Sequence, residues 1–141
     1  MALFTEDTKV EALWGCPFFA GLHRRELAEV AKVTEDLEVA EGKVLTREGE
    51  SGREFFVIIE GEVSVERDGR EIRRLAGGDF FGEIALLEDR PRTATVVART
   101  PLRFFVLTRQ SFKSLVDRQP EIEQKVRAAI EERLGRPDDA V

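Results

Sequence analysis

The sequence predicts a mainly β domain, a closed or sandwiched antiparallel sheet with helices at both ends. Three observations predict it: apolar residues recur with a period of two across the middle of the chain, glycines and acidic turns interrupt them, and helical spacing flanks them. The 141 residues suffice for one domain with its own core. We expect a single domain, 1–141, with helices over about 6–33, a β region over about 34–108 and helices over about 109–134.

Two short helices are predicted before the sheet. Acidic residues early in 6–14, with Val10, Leu13 and Trp14 at apolar positions, favour an amphipathic helix that Pro17 ends. A second helix is expected over about Arg24–Lys32. Its apolar spacing comes from Leu22, Leu27, Val30, Ala31 and Val33.

Short strands follow at high density. They are marked by Leu37 and Val39, Val44 and Leu45, the run FFVIIEG, Val63 and Val65, Ile72 and Leu75, Thr93–Ala98, and Leu102–Leu107. Asp68-Gly69 is a two-residue hairpin signal, and Pro101 indicates the turn before the last strand.

Helical spacing returns after Thr108. Phe112, Leu115 and Val116 share one face of a short helix, and Pro120 favours the start of the next. The apolar stripe of that last helix consists of Ile122, Val126, Ala129, Ile130 and Leu134, and Gly135 and Pro137 stop it. The stripe has two expected positions, packed on the barrel or on a partner chain.

Composition excludes several classes of protein. A net charge of −6 and a pI near 5.0 argue against a nucleic-acid or membrane-surface role, because phosphate polymers bind basic faces. An apolar stretch near 20 residues and a secretory leader are both absent from the sequence, so we expect a cytoplasmic location and no membrane insertion. Cys16 alone forms no internal disulfide and is expected to be a small buried hydrophobe, and His23 alone cannot form a multi-histidine metal site.

Enzyme motifs are missing as well. The chain has no nucleophile elbow, no histidine pair and no GxxxxGK phosphate loop. We therefore expect the chain to bind a ligand without converting it, and we expect no cofactor and no metal.

One segment combines the groups that a cyclic phosphodiester fused to a ribose requires. Gly82 lets the chain leave a strand and open a short helix, whose first N–H groups and positive dipole end form an anion site. Arg92 supplies a planar, permanently charged fork for two phosphate oxygens. Glu83 accepts from the ribose 2′-hydroxyl, and it would also pair with Arg92. These residues predict a cyclic nucleotide as the ligand.

The segment FGEIALLEDRPRTATVVA, residues 81–98, resembles the phosphate-binding cassette of the cyclic nucleotide-binding domain family, with no mismatch at the defining positions. That family includes catabolite activator protein, cyclic-nucleotide-dependent kinases and gated ion channels. Upstream, VLTREGESGREFFVIIEGEVSV is similar to the family's preceding strands, with Gly49 and Gly61 at its turn glycines, whereas Thr46 stands where an aliphatic residue is usual. The similarity spans about residues 15–133. It implies an antiparallel β jelly roll with N-terminal helices and C-terminal lid helices.

The resemblance also implies the site residues. Phosphate and ribose contacts fall on Gly82, Glu83, Ile84, Ala85, Arg92, Thr93 and Ala94. By analogy the purine lies beside Val65 and Arg73, under a lid residue from the set Ile122, Val126 and Ile130. Alternatively, Val65 is ordinary core, Arg73 is a solvated strand residue, and the stripe only packs.

The expected ligand is cAMP or cGMP, with a slight preference for cAMP. The Thr93 hydroxyl suits a guanine amino group, but threonine also suits a strand entry. Signalling is expected through movement of the last helix, with a protein partner or a homodimer formed through it. No DNA binding is expected, because only GRPDDAV follows residue 134, where a helix-turn-helix would have to begin. The alternatives are a ligand-free interaction module in which Glu83 and Arg92 pair, and the sensor fragment of a longer transcription regulator, channel or kinase.

Overall fold

A computed structural model describes residues 6–134. The helices are α1 Glu6–Trp14, α2 Arg24–Lys32, α3 Arg109–Arg118 and α4 Pro120–Leu134, with 3-10 turns at Pro17–Phe19 and Glu83–Leu86. The strands are β1 Glu35–Val39, β2 Val44–Thr46, β3 Glu54–Glu60, β4 Glu62–Arg67, β5 Arg70–Ala76, β6 Phe80–Phe81, β7 Thr95–Ala98 and β8 Leu102–Thr108. The predicted helix stop at Gly135 and Pro137, and the position where a helix-turn-helix would start, lie outside the described residues.

The strands form two four-stranded antiparallel sheets. One has the order β1-β8-β3-β6 and the other the order β2-β7-β4-β5. This is the antiparallel jelly roll that the sequence predicts, with α1 and α2 before it and α3 and α4 after it. The Asp68-Gly69 hairpin is confirmed: φ is 53° at Asp68 and 77° at Gly69, which matches a two-residue turn with both central residues left-handed.

The sheet that contains β3 and β8 is buried on both faces. Phe56 and Ile58 of β3 point into the jelly roll, where they join the interior cluster with Phe104 of β8. Phe55 and Val57 point to the opposite face and join the helices. Because successive strand residues alternate between faces, burial of both faces explains why β3 reads as a continuous apolar run.

The helices form a second apolar cluster on the outer face of that sheet. Phe18 packs edge-to-face against Phe19, Phe55 and Phe80, with ring centroids 4.9 to 5.0 Å apart. The α4 stripe residues Ile122, Val126 and Ile130 are buried in the same cluster. The stripe is therefore covered within the chain, by the helices and the outer face of one sheet.

One predicted core position is wrong. Trp14 was expected on the apolar face of α1 together with Val10 and Leu13, but Trp14 is 47% exposed while the other two are buried. Trp14 is the last residue of α1, and the chain turns at Gly15 and Cys16 toward the 3-10 turn, so the buried face of the helix ends before Trp14.

The structure confirms that Cys16 is a small buried residue and that His23 is a solvated helix residue. Cys16 is buried and forms no disulfide, and His23 is exposed at the start of α2. Within residues 6–134, no cluster of three or more histidine, cysteine, aspartate or glutamate residues is placed to hold a metal ion. None of the helices in that part of the chain is both long and apolar enough to span a membrane.

Replacing Phe18 with alanine should lower the free energy of unfolding by about 3 to 5 kcal/mol, because a 1% exposed ring between three other rings leaves a cavity. Replacing the exposed Trp14 with alanine should change it by no more than about 0.5 kcal/mol. Urea unfolding of both variants checks this. Comparable losses would mean that Trp14 belongs to the core after all.

Candidate functional site

Gly82 creates the turn that opens the cassette. It follows β6 and adopts φ 85°, a left-handed conformation that glycine enters without steric cost. A Cβ atom at this position would lie 2.7 Å from both Arg92 Nη1 and the Glu54 carbonyl oxygen. The sequence therefore needs glycine here for two reasons, the backbone conformation and the close approach of Arg92.

The short helix expected after Gly82 is present as a single 3-10 turn. Glu83–Leu86 forms a four-residue 3-10 turn, and the Ala85 N–H donates to the Gly82 carbonyl oxygen at 3.1 Å. One turn aligns few peptide dipoles, so the anion site depends on individual N–H groups and Arg92 more than on a helix dipole. To bind a phosphate oxygen, the Ala85 N–H would either donate to it and to the Gly82 carbonyl oxygen together or give up its bond to Gly82. Three-centre bonds of the first kind are common at helix ends.

The backbone of Arg92 is fixed by the loop between β2 and β3. The Arg92 N–H donates to the Glu50 carbonyl at 2.7 Å, and the Gly49 N–H donates to the Arg92 carbonyl at 2.8 Å. The Gly52 N–H donates to the Arg90 carbonyl at 3.2 Å. The two segments thus form a short antiparallel ladder that determines where the arginine side chain begins.

The guanidinium of Arg92 lies in a slot between two glycines. A Cβ atom at Gly52 would come within 2.5 Å of Arg92 Nε, and Gly82 closes the other side. The Phe56 ring centroid is 5.8 Å from Arg92 Cζ, within range of a cation–π interaction. Phe56 in turn stacks on Phe81 at 4.6 Å, so the aromatic support is itself held by packing.

The predicted pairing of Glu83 with Arg92 is not among the ion pairs of residues 6–134. Arg92 Nη2 instead donates to the Glu54 carbonyl oxygen at 2.8 Å. The physical reason is direction: the loop ladder and the glycine slot aim the guanidinium at the start of β3, while Glu83 is only 3% exposed inside the turn. Burial lowers the pKa of Arg92, the nearby Arg109 charge lowers it further, and Glu54 opposes both. The guanidinium stays charged at neutral pH and is partly desolvated, a state that an anion would stabilise.

The remaining cassette residues lie around this arginine. Ala94 is buried, and its carbonyl accepts from Thr46 Oγ1 at 3.0 Å, so the polar side chain of Thr46 has a specific partner. Thr93 is exposed, and its carbonyl accepts from Arg67 Nε at 2.9 Å, which ties the β4–β5 hairpin to the cassette.

Five of the seven predicted phosphate and ribose residues line one small cavity of about 60 Å³. Its lining consists of Gly52, Gly82, Ile84, Ala85, Arg90, Pro91, Arg92 and Thr93. The volume equals roughly two water molecules and is well below the about 300 to 1,000 Å³ of small-molecule sites. This cavity alone is therefore too small to hold a whole nucleotide.

A larger cavity, of about 770 Å³, lies elsewhere, between Leu86 and Leu87 of the cassette turn and the helices α3 and α4. Its lining includes neither Arg92 nor Gly82, whereas both residues line the smaller cavity.

Two of the predicted purine residues share one face of a sheet. Val65 of β4 is directly opposite Arg73 of β5, and directly opposed residues project from the same side. Val65 belongs to the interior cluster, so Arg73, which is half-buried, starts from the interior face as well. Val65 is also an ordinary core residue, as the alternative interpretation of the sequence expects.

The three predicted lid residues are not brought to the predicted phosphate and ribose residues in this structure. Ile122, Val126 and Ile130 lie in the helical cluster, whereas Val65 and Ala94 lie in the interior cluster. A purine contact by these residues stays a prediction, and it requires α4 to leave its apolar packing.

Sequence reasoning missed the groups that position Arg92. The sequence pattern assigns Gly52, Phe56 and the Glu54 carbonyl no role at the site. They lie 36 to 40 positions before Arg92 in the chain, a separation at which local spacing carries no signal.

The fold and the site together define a β jelly-roll domain that presents a partly desolvated arginine and a glycine-initiated turn at one small cavity. The chain belongs to the cyclic nucleotide-binding domain family, whose model matches residues 36–119.

Relatives and solved structures agree with this assignment. A cyclic nucleotide-gated potassium channel from Rhizobium etli is 36% identical over 121 residues, which make up 86% of this chain and 34% of the channel. A cGMP-dependent protein kinase from Caenorhabditis briggsae is 41% identical over 105 residues, 70% of this chain and 14% of the kinase. The N-terminal domain of a transcriptional regulator from Streptomyces coelicolor has a TM-score of 0.80 at 28% identity, covering 91% of this chain and 93% of that domain. The chain spans about a third or less of the length of the curated relatives it matches.

Gly82 and Gly49 offer a matched test of the turn, because both have φ 85° but only Gly82 has close neighbours at its Cβ position. Gly49→Ala should lower the free energy of unfolding by about 1 to 2 kcal/mol, the cost of a left-handed residue with a side chain. Gly82→Ala should cost more, since its Cβ atom also meets a carbonyl oxygen. Thermal or urea unfolding measures both, and equal losses would contradict the close approach.

Proposed function

We propose that this domain binds cAMP or cGMP at the cassette, signals by movement of its C-terminal helices and does not turn the nucleotide over. The observation that carries the proposal is the state of Arg92, a half-buried guanidinium held between two glycines at a cavity lined by cassette residues. Arg92 forms no ion pair within residues 6–134, and only the nearby charge of Glu54 offsets its desolvation, so a cyclic phosphate would add charge compensation. Two donors of the guanidinium match two phosphate oxygens, which makes the recognition directional.

The rest of the ligand follows from this anchor. Backbone N–H groups of the turn and of Thr93 and Ala94 would complete the phosphate site, and Glu83 would accept from the ribose 2′-hydroxyl. Glu83 is nearly inaccessible, so ribose binding would accompany a local opening of the turn.

The proposed helix movement has room in the larger cavity. That cavity separates Leu86 and Leu87 of the cassette turn from Phe112 and Val116 of α3. A rearranged turn would contact α3 across this space. The ligand shifts the helices only by the difference in its affinity for the two arrangements, so a 100-fold preference supplies about 2.7 kcal/mol.

Replacing Arg92 with alanine should weaken cyclic nucleotide binding by about 2 to 4 kcal/mol, or about 30- to 1000-fold, because it removes charge-assisted bonds to a partly desolvated phosphate. Arg92→Lys should fall between wild type and alanine, since it keeps the charge but loses the fork. Titration calorimetry with cAMP and cGMP measures the three affinities.

The matched control is Arg99→Ala, which removes an exposed arginine that pairs with Glu66 at 2.6 Å. It should bind like wild type. Normal binding by Arg92→Ala would show that the anion site is elsewhere, and no heat from either nucleotide at millimolar concentration would overturn the proposed function.

The choice of base is proposed to involve Arg73 and Thr93. Guanine offers two adjacent acceptors, O6 and N7, which an arginine fork fits, whereas adenine replaces O6 with an amino donor. An arginine on the interior face therefore favours cGMP, contrary to the slight preference for cAMP from the sequence. The kinase relative is named for cGMP, which agrees with this direction.

Arg73→Met should lower cGMP affinity by about 5- to 100-fold, the worth of one bidentate base contact, and change cAMP affinity less than about threefold. The control is Arg74→Met, the next residue along β5, whose exposed side chain pairs with Glu71 at 2.9 Å. Competition titrations with both nucleotides distinguish the outcomes. Equal losses for both nucleotides would mean that Arg73 only packs, and no loss would mean that it does not reach the base.

Two alternatives keep the same fold. A ligand-free interaction module would show no affinity for either nucleotide. A sensor fragment of a longer regulator would bind the nucleotide but need further domains for output. This second alternative is supported by the short share of the matched relatives that the chain spans.

A further inference from the structure

The position of α4 is held by an ion pair as well as by its apolar stripe. Lys125 Nζ of α4 donates to Glu26 Oε1 of α2 at 2.9 Å, across 99 positions of sequence. Among the described residues this is the ion pair that joins α4 to another element, because Arg127 pairs with Glu123 inside α4 itself.

Glu26 is held in place independently of α4. The same Oε1 atom accepts from the His23 N–H at 2.8 Å at the start of α2, so the carboxylate caps its own helix. Glu26 is only 4% exposed. Burial would raise the pKa of Glu26, but the Lys125 hydrogen bond and the His23 N–H outweigh it and lower the pKa, so the carboxylate is ionised at neutral pH. The Glu26 carboxylate is therefore a fixed, ionised acceptor for the Lys125 ammonium group when α4 is docked.

The ion pair lies at the rim of the α4 packing. The Lys125 side chain is 34% exposed, whereas the neighbouring Val126 is fully buried in the stripe. Water can solvate the lysine as soon as α4 moves, but the carboxylate loses its cationic partner. The pair thus stabilises the docked arrangement specifically, through a charge-assisted bond that the undocked arrangement does not make.

We propose that Glu26 and Lys125 form an electrostatic latch that keeps α4 docked on the N-terminal helices, in competition with cyclic nucleotide binding. The proposal rests on the helix movement in the proposed function and adds the contact that opposes it. If the nucleotide binds better when α4 is undocked, the latch lowers the fraction of competent molecules and therefore the observed affinity. Breaking the latch should tighten binding.

The variant Lys125→Met removes the charge while keeping an unbranched side chain. It should tighten binding of the preferred nucleotide by about 3- to 30-fold, which is the weight of one charge-assisted hydrogen bond in the docking equilibrium. Amide hydrogen exchange in residues 120–134 of the nucleotide-free protein should become faster, while exchange in the β3 and β8 strands stays unchanged.

A second variant guards against misfolding. Glu26→Gln with Lys125→Met removes both charges, so no buried charge is left unpaired, and it should show the same tighter binding. The matched control is Lys32→Met, which breaks an ion pair of 3.2 Å between Lys32 and Glu29 within α2 and should leave both measurements unchanged.

The outcomes separate the two proposals. Wild-type binding with unchanged or weaker affinity in both latch variants would overturn the latch and leave the proposed function standing. Faster exchange across the whole domain would mean that the pair only contributes to global stability, which also overturns the latch. No binding by the wild type would overturn the proposed function and the latch together.

Discussion

The hydrogen-bonded ladder between residues 49–52 and 90–92 determines the geometry of the site. Its bonds, 2.7 and 2.8 Å at Arg92 and 3.2 Å between Gly52 and Arg90, fix the backbone on either side of the arginine. Only the side-chain torsions of Arg92 then remain free, and the two glycines restrict those. Ordering a loop and a long side chain normally reduces binding affinity, because the lost conformational freedom opposes association. Here most of that order is present in the fold itself, so the proposed anion site would be preorganised.

Strand β3 transmits this order to the helices. Its side chains alternate between the jelly-roll interior and the helical cluster, so it is shared by both cores. The acceptor of the Arg92 guanidinium is the carbonyl of Glu54, the first residue of β3, which is directly opposite Thr108. Thr108 caps α3 by accepting from the Ser111 N–H at 3.1 Å, and Arg109 donates its N–H to the Arg53 carbonyl at 2.8 Å. A continuous set of hydrogen bonds therefore joins Arg92, through the start of β3 and the end of β8, to the start of α3.

The features that the sequence predicts depend on residues close together in the chain, whereas the features that it misses join residues far apart. The Asp68-Gly69 turn and the helix Arg24–Lys32 depend on neighbouring residues, so local propensity and periodicity predict them well. The exposed Trp14 shows the limit of periodicity, because spacing indicates a face but not where packing against that face stops. The glycine slot around Arg92 and the packing of the α4 stripe join segments far apart in sequence. Only the three-dimensional arrangement decides them. Of the two positions that the sequence left open for the stripe, packing on the barrel is the one observed, and the helices contribute to it as well.

The electrostatics of the site depend on where the charged residues lie more than on the net charge of the chain. From the net charge of −6 we expect no binding to phosphate polymers, which require a broad basic face, and this stays a prediction. Around the cassette, however, Arg92 feels the charge of Arg109, and the pKa of Asp89 is lowered by the Ser51 hydroxyl and by Arg109 and Arg53. Charges of both signs therefore lie near the cassette, with Glu54 and Asp89 beside Arg53, Arg92 and Arg109. The local field there depends on these neighbours and is not given by the net charge of the chain.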